Sequence, residues 1–184
     1  MPLSVAFLRA VNVGGRTVKM EELRRLFEDM GFAGVSTFIA SGNVIFEQVT
    51  GEPAAVEARI EDGLERALGY EVATFLRSEE EIAGLVSNSP FTAREIENAA
   101  ALNVGLLKAP LDKTRLAVLA TLTTEIDDFR APGREVHWRC LRKQNESKFS
   151  NALFERRVGA RITFRSASSL ARLAAKLGLE PHRR

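Results

Sequence analysis

The chain has 184 residues, 45% of them hydrophobic and 27% charged, with a formal net charge of +2, a mixture that fits a folded globular protein and excludes a disordered or fibrous one. No apolar run approaches the roughly 20 residues that span a bilayer, and the start Met1-Pro2-Leu3-Ser4-Val5 has neither the basic flank nor the cleavage site of an export signal, so the sequence predicts a cytoplasmic protein without membrane contact. With Cys140 as the single cysteine and His137 and His182 as the two histidines, neither an internal disulfide nor a Cys/His zinc site is available, and no cofactor or metal is implied.

In chain order, Leu3 to Ala10 is a short apolar run bounded by Gly14-Gly15 and predicts a strand buried on both faces. Met20, Leu23, Phe27 and Met30 recur at helical spacing up to Gly31, a carboxyl-terminal cap. Val35 to Ala40 and Val44 to Glu47 flank Ser41-Gly42-Asn43, which predicts a hairpin. Val56, Ile60, Leu64 and Leu68 define a second helix ending at Gly69, and Val72 to Leu76 a fourth strand.

The same order recurs further on. Leu102 to Leu107 predicts a strand, Asp112 to Thr121 a helix, and Ile126 to Arg130 with Glu135 to Leu141 a hairpin around Ala131-Pro132-Gly133-Arg134. A helix over Ser147 to Val158 stops at Gly159, and Arg161 to Phe164 is a last strand. Arg77-Ser78 and Arg165-Ser166 follow the two closing strands at an offset of 88 residues, a spacing that reads as an internal duplication. Ser78 with Glu81 fits a capping box, and Ser166 caps a terminal helix carrying Leu170, Leu173, Ala174 and Leu177. Crossover handedness leaves few arrangements for strand-helix-strand-strand-helix-strand. The commonest is the ferredoxin-like plait, with strands ordered four, one, three, two. The expected fold is α+β: two tandem ferredoxin-like subdomains over residues 1–77 and 101–184, joined by residues 78–100, with an extra carboxyl-terminal helix.

In such a plait the end of the first strand and the turn of the hairpin meet at one sheet edge. Glycines there let amides point outward at an anion. Asn12, Gly14, Gly15, Ser41, Gly42 and Asn43 are therefore the candidate ligand-binding residues, with Arg9 at the end of the first strand beside them and Lys19 adding positive charge at a helix start. The loop matches neither the Gly-x4-Gly-Lys-Ser/Thr phosphate loop nor the dinucleotide Gly-x-Gly-x2-Gly pattern, and the plain alternative is that these residues only turn the chain. Arg165 reads either as an anion clamp or as a strand-end cation packing its stem. His137, Cys140 and Glu79-Glu80-Glu81 read as structural, and Ser147 as a helix cap.

Phe7-Leu8-Arg9-Ala10-Val11-Asn12-Val13-Gly14-Gly15, Lys19-Met20, Leu23, Gly31-Phe32 and Ser41-Gly42-Asn43-Val44-Ile45-Phe46 resemble the amino-terminal signature of the bacterial domain-of-unknown-function family 1697. Asn88-Ser89-Pro90-Phe91, Ser147-Lys148-Phe149 and Thr163-Phe164-Arg165 are similar to its later blocks. The resemblance implies tandem ferredoxin-like subdomains and no established activity. Where the family has Thr-x-Arg-Asn-Trp-Asn-Thr, this chain has Thr163-Phe164-Arg165-Ser166-Ala167-Ser168-Ser169.

Two readings of function follow. One is a protein binding a small phosphate- or carboxylate-bearing molecule at the loop edge, whether or not it is an enzyme. The other is a nucleic-acid-binding module, since residues 130–184 hold 14 Lys/Arg against 4 Asp/Glu. The sequence does not fix the oligomeric state.

Overall fold

The computed structural model describes residues 1–12, 14–39 and 42–179. It divides into two compact units, Met1–Ile82 and Ala83–Arg184. None of its helices among the described residues is long and apolar enough to cross a membrane.

In the first unit β1 (Leu3–Leu8), α1 (Met20–Asp29), β2 (Ser36–Phe38), β3 (Asn43–Glu47), α2 (Pro53–Leu68) and β4 (Thr74–Ser78) form one antiparallel sheet ordered β2-β3-β1-β4. This is the ferredoxin-like order expected from the sequence. Period-two alternation assigns the faces. Ala6, Leu8, Val44, Phe46 and Leu76 join Leu23 and Phe27 of α1 and Val56, Ile60 and Leu64 of α2 in one core. Phe27, Phe32 and Phe46 lie within 4.7–5.8 Å of one another, centroid to centroid. The opposite face carries Val5, Phe7, Ile45, Phe75 and Arg77, also buried, so β1 is covered on both sides as its unbroken apolar run predicts. Helix α2 enters through Pro53 and stops where Gly69 turns left-handed, φ 78°.

The α2 helix also protects the sheet edge. β4 is an edge strand, and its outward amides at Thr74 and Leu76 donate to Glu61 Oε1 and Glu57 Oε1, each at 2.8 Å. Carboxylates from the helix thus take groups that would otherwise invite another strand.

The second unit contains α4 (Ala93–Glu97), β5 (Ala101–Leu106), α5 (Lys113–Ala120), β6 (Asp127–Arg130), β7 (Glu135–Cys140), α6 (Asn151–Val158), β8 (Thr163–Ser166) and α7 (Ala167–Lys176), while α3 (Glu79–Ser87) straddles the division between units. Its sheet is ordered β6-β7-β5-β8, so the chain is two tandem ferredoxin-like units with a terminal helix. Leu107, Phe129, Trp138, Cys140, Phe154 and Ile162 belong to its core. Burial pushes the Cys140 thiol up, in line with a small apolar group. The edge device recurs: Ile162 N donates to Glu155 Oε1 on α6 at 3.1 Å.

Both closing strands run two residues later than the apolar pattern suggests, Thr74–Ser78 and Thr163–Ser166, because pairing with β1 and β5 continues to the serine that caps the next helix. Ser78 and Glu81 exchange the two bonds of a capping box, and Ser166 accepts from Ser169 N. One expected boundary is corrected. Helix α6 begins at Asn151 with Ser150 as its cap, whereas the Ser147 hydroxyl donates to Asp127 Oδ2 at 2.9 Å and accepts from Phe149 N.

Candidate functional site

Three connections of the first unit converge where β1 ends. Leu8 N donates to Gly42 O at 2.8 Å, which ties β1 to the β2–β3 hairpin, and Arg9 N donates to Ala73 O at 2.9 Å, which ties it to the α2–β4 loop. The Tyr70 hydroxyl donates to Val11 O at 3.1 Å, and the Arg16 guanidinium stacks over the Tyr70 ring at 4.2 Å, a cation–π contact.

The predicted residues among those described fall into distinct roles. Asn12 folds its loop back, its Oδ1 accepting from Val18 N at 2.6 Å. Gly14 and Gly15 are exposed with φ of 69° and 81°, and a β-carbon on either would meet nothing within 4 Å. Lys19 is exposed and occupies the amino-terminal cap of α1 without capping it through its side chain. Arg9 is half-buried. Gly42 is buried, φ 79°, and a β-carbon there would stand 2.7 Å from Val11 Cγ1. Asn43 is buried opposite Phe7 and Phe38, and its Nδ2 donates to Phe38 O at 3.0 Å, pinning the hairpin. Ser41 lies outside the described residues.

Arg165 belongs to the second unit. It lies on β8 opposite Val104, as Arg77 lies on β4 opposite Val5. Its Nη1 donates to Thr163 Oγ1 at 2.9 Å and to Phe164 O at 3.0 Å, and burial pulls its pKa down to about 10. Across the same sheet Val104 also pairs with His137, whose pKa burial lowers to about 4.

Sequence reasoning missed Tyr70, Arg16 and two strained residues at this edge. Ala10, two residues past β1, has φ 58° and Ile39, just past β2, has φ 51°. Both are left-handed without being glycine, and for a β-branched residue that is an outlier. The topology does bring the α2–β4 loop to this edge, so Tyr70, the chain's single tyrosine, could have been included. The backbone angles of Ala10 and Ile39 leave no mark in residue type.

The fold places the chain among proteins built of tandem ferredoxin-like units. Its residues 1–137 match the family model described as protein of unknown function, DUF1697, and the chain belongs to that family. A solved structure of a conserved bacterial protein from Streptococcus pneumoniae is similar, with 22% identity, a TM-score of 0.75, and coverage of 96% of this chain and 98% of that one. At that identity the likeness shows the fold. No curated protein matches the chain.

Proposed function

We propose that the first unit binds a small phosphate- or carboxylate-bearing molecule at the edge where β1, the β2–β3 hairpin and the α2–β4 loop meet. The observation that carries this reading is the gathering of unusual backbone there: Ala10, Gly14, Gly15, Ile39 and Gly42 all have positive φ. Strained residues persist where the surroundings hold them, and they cluster at ligand sites. The exposed Gly14 and Gly15 amides, with Lys19 at the start of α1, supply donors and charge for an anion. Asn12, Gly42 and Asn43 shape the wall through bonds already made, and Arg16 on Tyr70 offers a further planar cation beside it. Arg165, bonded within its own strand in the second unit, is not part of this reading.

A thermal-shift series with inorganic phosphate, nucleotides and phosphorylated or carboxylated metabolites tests it. A ligand at 100 times its dissociation constant stabilises by about 2.7 kcal/mol. Lys19→Ala is expected to shrink the shift. If no such compound raises the melting temperature, or Lys19→Ala leaves the shift intact, the reading fails.

The nucleic-acid alternative draws less support. Arg130 and Arg139, which contribute to the basic segment, are engaged with Asp128, and Phe129, Trp138 and Phe164 pack with the core instead of forming a stacking platform on an open sheet. We also read the two units as copies of one ancestral unit. The matching positions of Arg77 and Arg165, and of the amides three residues before each that donate to a helix glutamate, support this.

A further inference from the structure

The second unit contains a pocket of about 440 Å³ between the start of β6 and the segment leading into α6, a size that accommodates small-molecule ligands. Its apolar wall is Leu122, Ile126, Phe149 and Leu153. Phe149 contributes a half-buried ring to an aromatic cluster, 4.6 Å from Phe129 and 4.8 Å from Trp138. The polar wall is centred on the buried carboxylate of Asp127. Its Oδ1 accepts from Trp138 Nε1 at 2.8 Å, and its Oδ2 accepts from Thr124 Oγ1 at 3.0 Å and Ser147 Oγ at 2.9 Å.

Those donors fix Asp127 in place, but all three are neutral. At the rim Arg142 and Glu146 approach to 3.9 Å, while Glu125 and Lys148 form no hydrogen bond or ion pair among the described residues. Apart from the Arg142–Glu146 pair, the lining therefore presents Glu125 and Asp127 against Lys148. Such a lining favours positive charge on a ligand whose remainder is apolar. Because Asp127 already holds three donors, a cation gains from it by proximity, and the direct ion pair falls to exposed Glu125.

We propose that this pocket is a binding site for a small amine: a primary ammonium group on an apolar, preferably aromatic, body, with the ring against Phe149 and the ammonium beside Glu125. This site stands independently of the anion site proposed for the first unit. An added ring can meet Phe149 edge-to-face, as its neighbours do.

The chain carries its own reporter. Trp138 is its single tryptophan, bonded to Asp127 and packed on Phe149. Phenethylamine is the probe, titrated into the full chain while Trp138 emission is followed, with 3-phenylpropionate as the anionic counterpart of similar size. Saturable change with the amine, and weaker binding of the carboxylate, is expected. Glu125→Gln, at the exposed rim, weakens amine binding about two- to fivefold, the range of an exposed ion pair. Leu153→Phe fills the pocket and removes binding of both probes, and circular dichroism verifies that the variant folds. The proposal is overturned if the amine gives no saturable change, if the carboxylate binds as tightly, or if Glu125→Gln leaves the amine's affinity unchanged. The last outcome stands as a test even where Leu153→Phe does not fold.

Discussion

Gly42 and Gly14 both have left-handed backbone, yet they answer different demands. At Gly14 a β-carbon meets open space, so Gly14→Ala carries only the conformational penalty of φ 69°, roughly 1 kcal/mol. At Gly42 the added carbon would stand 2.7 Å from Val11 Cγ1 and 3.2 Å from Leu8 Cβ. Overpacking adds about 1–3 kcal/mol to the same backbone strain. Urea denaturation is expected to rank Gly42→Ala well below Gly14→Ala in stability, and equal losses would show that Gly42 is not held against Val11. The sequence reading grouped these glycines as one cradle. Their separation depends on a neighbour 31 positions away in the chain, which residue type does not reveal. Gly69 and Gly159 were readable because a helix stop is a local event.

The same distinction between local and distant determinants holds for whole elements. Both sheets followed from apolar periodicity, turn residues and crossover handedness, and the expected strand order is the one observed. Residues 78–100 were read as a connection, although Thr92-Ala93-Arg94-Glu95 has the spacing of a capping box and does form one, with Thr92 N donating to Glu95 Oε2 at 2.8 Å. What the spacing could not disclose is the partner 35 residues on. Arg130 donates to Glu95 Oε1 at 2.5 Å and to Pro90 O at 2.6 Å, and its guanidinium lies 4.5 Å from the Phe91 ring centroid. The Arg130 bonds, followed by the Thr92 amide, hold the Glu95 carboxyl down at about 2. One side chain thus fastens α4 and the Pro90-Phe91 turn to the β6–β7 hairpin. Arg130→Met keeps an apolar stem over Phe91 while removing every charged bond. It is expected to accelerate hydrogen exchange over residues 91–98, because the bonds to Glu95 and to Pro90 O are lost together. Unchanged exchange there would show that the α4 cap suffices without Arg130.

At the scale of the whole molecule, charge is divided unevenly: residues 1–82 hold 8 Lys/Arg against 14 Asp/Glu, and residues 83–184 hold 18 against 10. The proposed anion site therefore lies in the acidic unit, where local donors must outweigh net charge, and the proposed amine site in the basic one. Neither site follows from bulk charge, and the basic carboxyl-terminal segment by itself suggests only the nucleic-acid alternative. The response of stability to acid is also set by particular groups. His137 is buried, and its pKa falls from 6.5 to about 4 on folding because burial disfavours the imidazolium. Above pH 6.5 it is neutral in both states and exacts nothing. As pH falls below 6.5 the unfolded chain takes up the proton while the folded chain resists, so stability declines until about pH 4 and then levels off. By pH 5 the loss reaches at most about 2 kcal/mol. Glu95 titrates outside this window: its contribution is present above 4.5 and disappears as pH falls toward about 2. Urea midpoints followed through Trp138, the residue after His137 on β7, should fall between pH 6.5 and 5 in the wild type and stay level in His137→Gln. Parallel declines in the two proteins would assign the acid sensitivity to other groups.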